Sequence, residues 1–93
     1  MVVERLGPPC PVRRLARGIY RYEARLSGAP DARWSQVFRR RLRPAVAWVV
    51  GDRVIFEARG EEFPDWLARL DAGLRAANEL GRGAEGRNGE RAA

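Results

Sequence analysis

Two apolar runs, Ala45 to Val50 and Arg53 to Ala58, are separated only by Gly51-Asp52, and this spacing restricts the fold more than any other feature of the chain. A two-residue link led by Gly suits a type II′ turn, because Gly takes a positive φ without steric cost, and the runs then lie antiparallel as a hairpin. The pairing follows: Val50 faces Arg53, Val49 faces Val54, Trp48 faces Ile55, Ala47 faces Phe56 and Val46 faces Glu57. Facing residues share a side of the sheet. One side therefore carries Ala45, Ala47, Val49, Val54, Phe56 and Ala58, apolar throughout and small where helices must approach. The other carries Val46, Trp48, Val50, Arg53, Ile55 and Glu57.

The remaining elements are set around that hairpin. Gly18 to Leu26 alternates at period two, with Tyr20, Tyr22, Ala24 and Leu26 on one face and Ile19, Arg21, Glu23 and Arg25 on the other, which predicts a strand. Ser27 to Pro30 supplies turn chemistry. Asp31 is placed to cap a helix that buries Trp34, Val37, Phe38 and Leu42 and stops before Pro44. A second helix is predicted from Glu61 to Leu80, with Pro64 in its first turn and Phe63, Leu67, Leu70, Leu74 and Ala77 as its buried stripe. Asp65 with Arg69, and Asp71 with Arg75, have i,i+4 spacing on it.

The expected fold is α+β, a small single-layer sheet in β-α-β-β-α order with both helices on one face. In element order it resembles part of the ferredoxin-like split βαβ arrangement. The domain is expected to span 18–80. Residues 1–17, broken by Gly7-Pro8-Pro9-Cys10-Pro11, read as an irregular basic arm, and 81–93, rich in Gly and without a large apolar side chain, as a disordered tail. At 93 residues the core must be thin.

Charge is divided unevenly. The chain carries a net +6, and all 18 basic residues are Arg. Residues 1–44 hold 11 Arg against Glu4, Glu23 and Asp31, a net of +8, whereas 45–93 hold 7 Arg against 9 acids, a net of −2. The densest cluster, Arg39, Arg40, Arg41 and Arg43, ends the first helix, where cations also favour the helix dipole. With Arg13, Arg14 and Arg17 it forms a candidate site for phosphates or an acidic partner.

The residue inventory points to binding more than to catalysis. The chain has no His, the commonest general base near neutral pH and the commonest metal ligand. Cys10 stands between two prolines with no base to activate it. Gly81, Gly83 and Gly86 follow a helix and lack the preceding strand of a dinucleotide-binding turn. No catalytic residue, cofactor or metal is expected. One cysteine and no apolar leader or spanning segment make the chain read as cytoplasmic.

Two functional readings follow. The first is a non-catalytic module binding a protein partner, or a second copy of itself as a homodimer, through Trp48, Ile55, Val46, Val50, Arg53, Arg21 and Arg25. In this arrangement an apolar centre is rimmed by charge. The N-terminal arm, with Val2, Val3, Leu6, Val12 and Leu15, is the competing cover for Trp48. The second reading is a nucleic-acid binder contacting phosphates through the Arg39 to Arg43 cluster; an adaptor for an acidic protein would use the same cluster. No membrane partner is expected.

Overall fold

The computed structural model describes residues 2–92, with side chains described for 2–79. Six main elements follow in order: β1 (Cys10–Ala16), β2 (Ile19–Arg25), α1 (Ala32–Leu42), β3 (Ala47–Val50), β4 (Arg53–Arg59) and α2 (Phe63–Ala92), with a 3₁₀ turn at Gly60–Glu62 before α2. The four strands form one antiparallel sheet in the order β1-β2-β4-β3. The fold is α+β, and both helices pack on one face of the sheet.

The hairpin forms in the register that its link dictates. Ala47 pairs with Phe56, Trp48 with Ile55, Val49 with Val54 and Val50 with Arg53. Gly51 has φ +59° whereas Asp52 does not take a positive φ, which is the sign pattern of a II′ turn. Because β4 pairs with both β2 and β3, β2 and β3 run parallel with β4 between them, joined through α1. This is the split βαβ unit.

The first 17 residues differ from expectation. Instead of an irregular arm, Cys10–Ala16 forms a strand that pairs with β2. The observed order is therefore β-β-α-β-β-α. Pro11 fits because β1 is an edge strand, where a missing N–H costs no ladder bond, and two register irregularities interrupt the pairing at Pro11/Arg13 and Arg14/Ala16. Gly18, with φ +75°, turns the chain between β1 and β2.

Further upstream, Arg5 bridges to Leu26, and the Leu6 N–H donates to the Arg25 carbonyl at 2.8 Å. Val3 is buried with the helices, so this segment closes the end of the core and leaves Trp48 uncovered. The guanidinium of Arg5 forks onto Asp71 of α2, Nε to Oδ1 at 3.0 Å and Nη2 to Oδ2 at 3.1 Å. The predicted Asp71–Arg75 pairing is thus replaced by a longer-range one. Arg69 lies over the ring of Trp66, 5.9 Å from its centroid.

The core lies between the sheet and the helices. Tyr22, Ala24, Val54, Phe56, Ala58 and Ala47 are its floor, and Trp34, Phe38, Leu42, Trp66, Leu70, Leu74 and Ala77 its roof. Phe56 is the centre, stacked on Tyr22 at 5.2 Å and on Trp66 at 4.4 Å between ring centroids. Trp66 was absent from the predicted stripe of α2, whereas Leu67 is only half-buried. Asp31 caps α1 as expected, its Oδ1 accepting from the Trp34 N–H at 2.8 Å. The second helix does not stop at Leu80 as predicted: its backbone runs on to Ala92, because Gly81 permits a stop without enforcing one. The side chains of the expected tail, 81–93, lie outside the described residues.

Candidate functional site

The sheet face opposite the helices is open, and β4 decides what it presents. Lying between β2 and β3, it brings Arg21 beside Glu57, Glu23 beside Ile55 and Arg25 beside Arg53. Arg21 Nη2 reaches Glu57 Oε2 at 2.9 Å, and Arg53 pairs with Glu23. The middle of the face is therefore an ion-paired lattice broken by half-buried Ile55. This reverses the expected layout, in which charge formed the rim: the large exposed apolar side chains stand at the two edges, Val12 and Leu15 on β1, and Trp48 and Val50, with neighbouring Val46, on and beside β3.

Trp48 belongs to the open face, as its pairing with Ile55 requires, and is 45% exposed. Val46 and Val50 flank it at 60% and 57%. Neither helix covers this trio. The segments named as a competing cover do not cover it either: Val3 is buried elsewhere, and Val2, Leu6, Val12 and Leu15 are themselves exposed.

The two edges of the sheet are built differently. β1 carries Pro11, Arg13 and Arg14 and two irregularities, all devices that discourage further strand pairing. β3 reads Ala-Trp-Val-Val, with no charge, proline or bulge. Val50 and Arg53 flank the two-residue turn and so form a hydrogen-bonded pair, and alternation along the ladder then turns the backbone N–H and C=O groups of Ala47 and Val49 outward. Among the described residues, no backbone bond closes that edge.

An open groove of about 860 Å³ runs beside this edge. It is lined by Gln36, Arg39, Arg40 and Arg43 from the end of α1, and by Pro44 to Trp48 as the chain enters β3. The sequence causes this closeness: α1 stops at Leu42, and only the short segment 43–46, with a cis Arg43–Pro44 peptide, separates it from β3. Two groups of residues treated as separate candidates, Trp48 with Val46 and the Arg cluster, thus meet in one place. Arg41 is exposed but does not line the groove. No carboxylate is among the lining residues, and none of the ion pairs between described residues involves Arg39, Arg40 or Arg43. Gln36 was missed because, taken singly, an exposed helical Gln carries no signal.

Arg13, Arg14 and Arg17 do not join this cluster. They lie on or beside β1, at the other edge of the sheet from β3, three interstrand steps or about 14 Å away. The expected single phosphate patch is therefore two separate groups of cations. Arg21 and Arg53 are engaged by Glu57 and Glu23, and Arg25 has no ion-pair partner among the described residues.

Cys10 is exposed, its thiol 3.7 Å from the Pro8 carbonyl. Among the described residues, no three His, Cys, Asp or Glu side chains gather as a metal site, and no helix is long and apolar enough to cross a membrane. No protein-family model matches the chain, and searches of curated proteins and solved structures returned no match.

Proposed function

We propose that this protein is a non-catalytic interaction module that binds a protein partner along the β3 edge, with Trp48 as the anchor. The observation that carries the reading is the exposure of Trp48 on an edge strand that is neither charged, bulged nor covered. A half-exposed Trp flanked by Val46 and Val50 offers a large rigid apolar area, and desolvating such a side chain commonly supplies much of an interface's energy. The outward backbone groups of Ala47 and Val49 add directional hydrogen bonds, the means by which extended segments join sheet edges.

The nucleic-acid reading draws on Arg39, Arg40 and Arg43. Against it, Tyr20 and Tyr22 pack toward the helices, so Trp48 is the sole aromatic ring on the open face among the described residues. Glu23 and Glu57 also place carboxylates where a phosphate backbone would cross. A stacking platform needs several rings and a continuous basic track. The lone exposed thiol supports a cytoplasmic setting for the module.

The test is affinity capture from nuclease-treated extract with the wild-type chain and with Trp48→Arg in parallel. A protein retained by the wild type and lost with Trp48→Arg supports the reading, provided circular dichroism shows the variant folded. Retention that depends on nucleic acid, or that ignores Trp48, overturns it. Light scattering over a range of concentrations identifies the case in which the partner is a second copy.

A further inference from the structure

Resting on the reading of β3 as a protein-docking edge, we infer that its occupant is an acidic, extended segment of a partner protein, added as a fifth strand beside β3 with its carboxylates in the groove under α1. Three features on one edge lead to this occupant. Among the described residues, no backbone group pairs with the outward N–H and C=O of Ala47 and Val49, an arrangement that suits an extended chain. Trp48 and Val46 present apolar surface on the side of β3 away from the helices. Arg39, Arg40 and Arg43 line the groove alongside, with no acid among its lining residues.

An added strand alternates its side chains between the two sides of the sheet. Residues on the open side would meet Trp48 and Val46; those on the helix side would meet the guanidinium groups. The matching partner sequence therefore alternates apolar and acidic residues. A carboxylate accepts two parallel N–H bonds from an Arg, so the three cations suit an acidic segment in shape as well as charge.

The charge balance selects this occupant over the alternatives. A second copy would bring together two chains of net +6, with the Arg cluster gaining no carboxylate from β3 itself, which has none. A nucleic-acid strand would satisfy the Arg side chains but would leave the edge N–H and C=O groups without the regularly spaced partners that a peptide supplies.

The test uses the full chain and a fluorescein-labelled short peptide of alternating Glu and Val, followed by fluorescence anisotropy at low salt. Binding is expected, weakened about tenfold or more by the combined Arg39→Gln, Arg40→Gln and Arg43→Gln variant and by Trp48→Thr. Arg13→Gln, Arg14→Gln and Arg17→Gln together should change it less than twofold. Equal losses from the two Arg triplets would mean only diffuse attraction and would overturn the inference. A peptide N-methylated at alternate residues should not bind; equal binding would exclude strand addition. Should a variant fail to fold, amide shifts of Ala47 and Val49 on titrating the wild-type protein decide the same point, since their absence overturns the proposal. Failure of the Glu-Val peptide while Trp48→Arg still abolishes protein capture would sink the acidic-strand inference and leave the docking edge standing. Tighter binding of a single-stranded oligonucleotide of equal charge, in competition with the peptide, would overturn both.

Discussion

Asn78 Oδ1 on α2 accepts the indole N–H of Trp34 on α1 across 2.9 Å, and the same oxygen accepts the backbone N–H of Val3 at 2.9 Å. Its Nδ2 donates to the Val3 carbonyl at 2.9 Å, so one amide ties both helices to the N-terminal segment. Trp34 is only 3% exposed, and truncating its partner leaves an indole N–H with no acceptor. Asn78→Ala is expected to cost about 2 kcal/mol in urea unfolding. A double-mutant cycle with Trp34→Phe should give a coupling energy above about 0.5 kcal/mol. Strict additivity would show that the bond contributes nothing specific.

Gly73 of α2 faces Phe38 and Leu42 of α1. A methyl group built on it would stand 3.0 Å from both Cδ1 and Cε1 of Phe38, a ring that is fully buried and stacked on Trp34 at 5.2 Å. Ala in a helix interior normally gains about 1 kcal/mol over Gly. Here the buried, stacked ring must shift by a few tenths of an ångström to admit the methyl, and overpacking of this kind costs about 1 to 3 kcal/mol. Gly73→Ala is therefore expected to lower the unfolding free energy by about 1 kcal/mol, and a rise in melting temperature would refute that balance.

The ion pairs of the open face should matter little to stability. Arg21 and Glu57 are both more than a third exposed, and such pairs contribute between about 0.2 and 1 kcal/mol. Glu57→Gln should lower the free energy of unfolding in urea by no more than that, with the difference shrinking as salt rises. A larger, salt-insensitive loss would show that Glu57 holds the sheet together in some other way.

How far the sequence revealed this architecture depended on whether the signal was local. The register of β3 and β4 follows from two loop residues, and the Asp31 cap from one side chain three residues from its donor; both were legible. The strand Cys10–Ala16 was not, because prolines that exclude a central strand are harmless at an edge, and edge position is a property of the assembled sheet. The same holds for the candidate site. That Trp48 faces away from the helices could be read from the pairing, but the insertion of β4 between β2 and β3, which moved the charged rows to the middle and Trp48 to the border, depends on long-range pairing. So does the separation of Arg13, Arg14 and Arg17 from the helix-end cluster. Asp71 was assigned a neighbour on its own helix, whereas its partner, Arg5, is 66 positions away.

The hairpin offers an internal comparison that tests the surface role of Trp48. Phe56 and Trp48 lie on adjacent strands, but Phe56 is 0% exposed and sandwiched between Tyr22 and Trp66, whereas Trp48 is half-exposed on the opposite face, across the ladder from Ile55. Phe56→Ala removes a filled centre and should cost about 3 to 5 kcal/mol. Trp48→Thr removes one cross-strand apolar pair, and Thr keeps a β-branched side chain in the strand, so its cost should stay below about 1 kcal/mol. Both follow from urea unfolding of the single variants. If Trp48→Thr proved as damaging as Phe56→Ala, the indole would be part of the core, and the β3 edge would lose the side chain that its docking role requires.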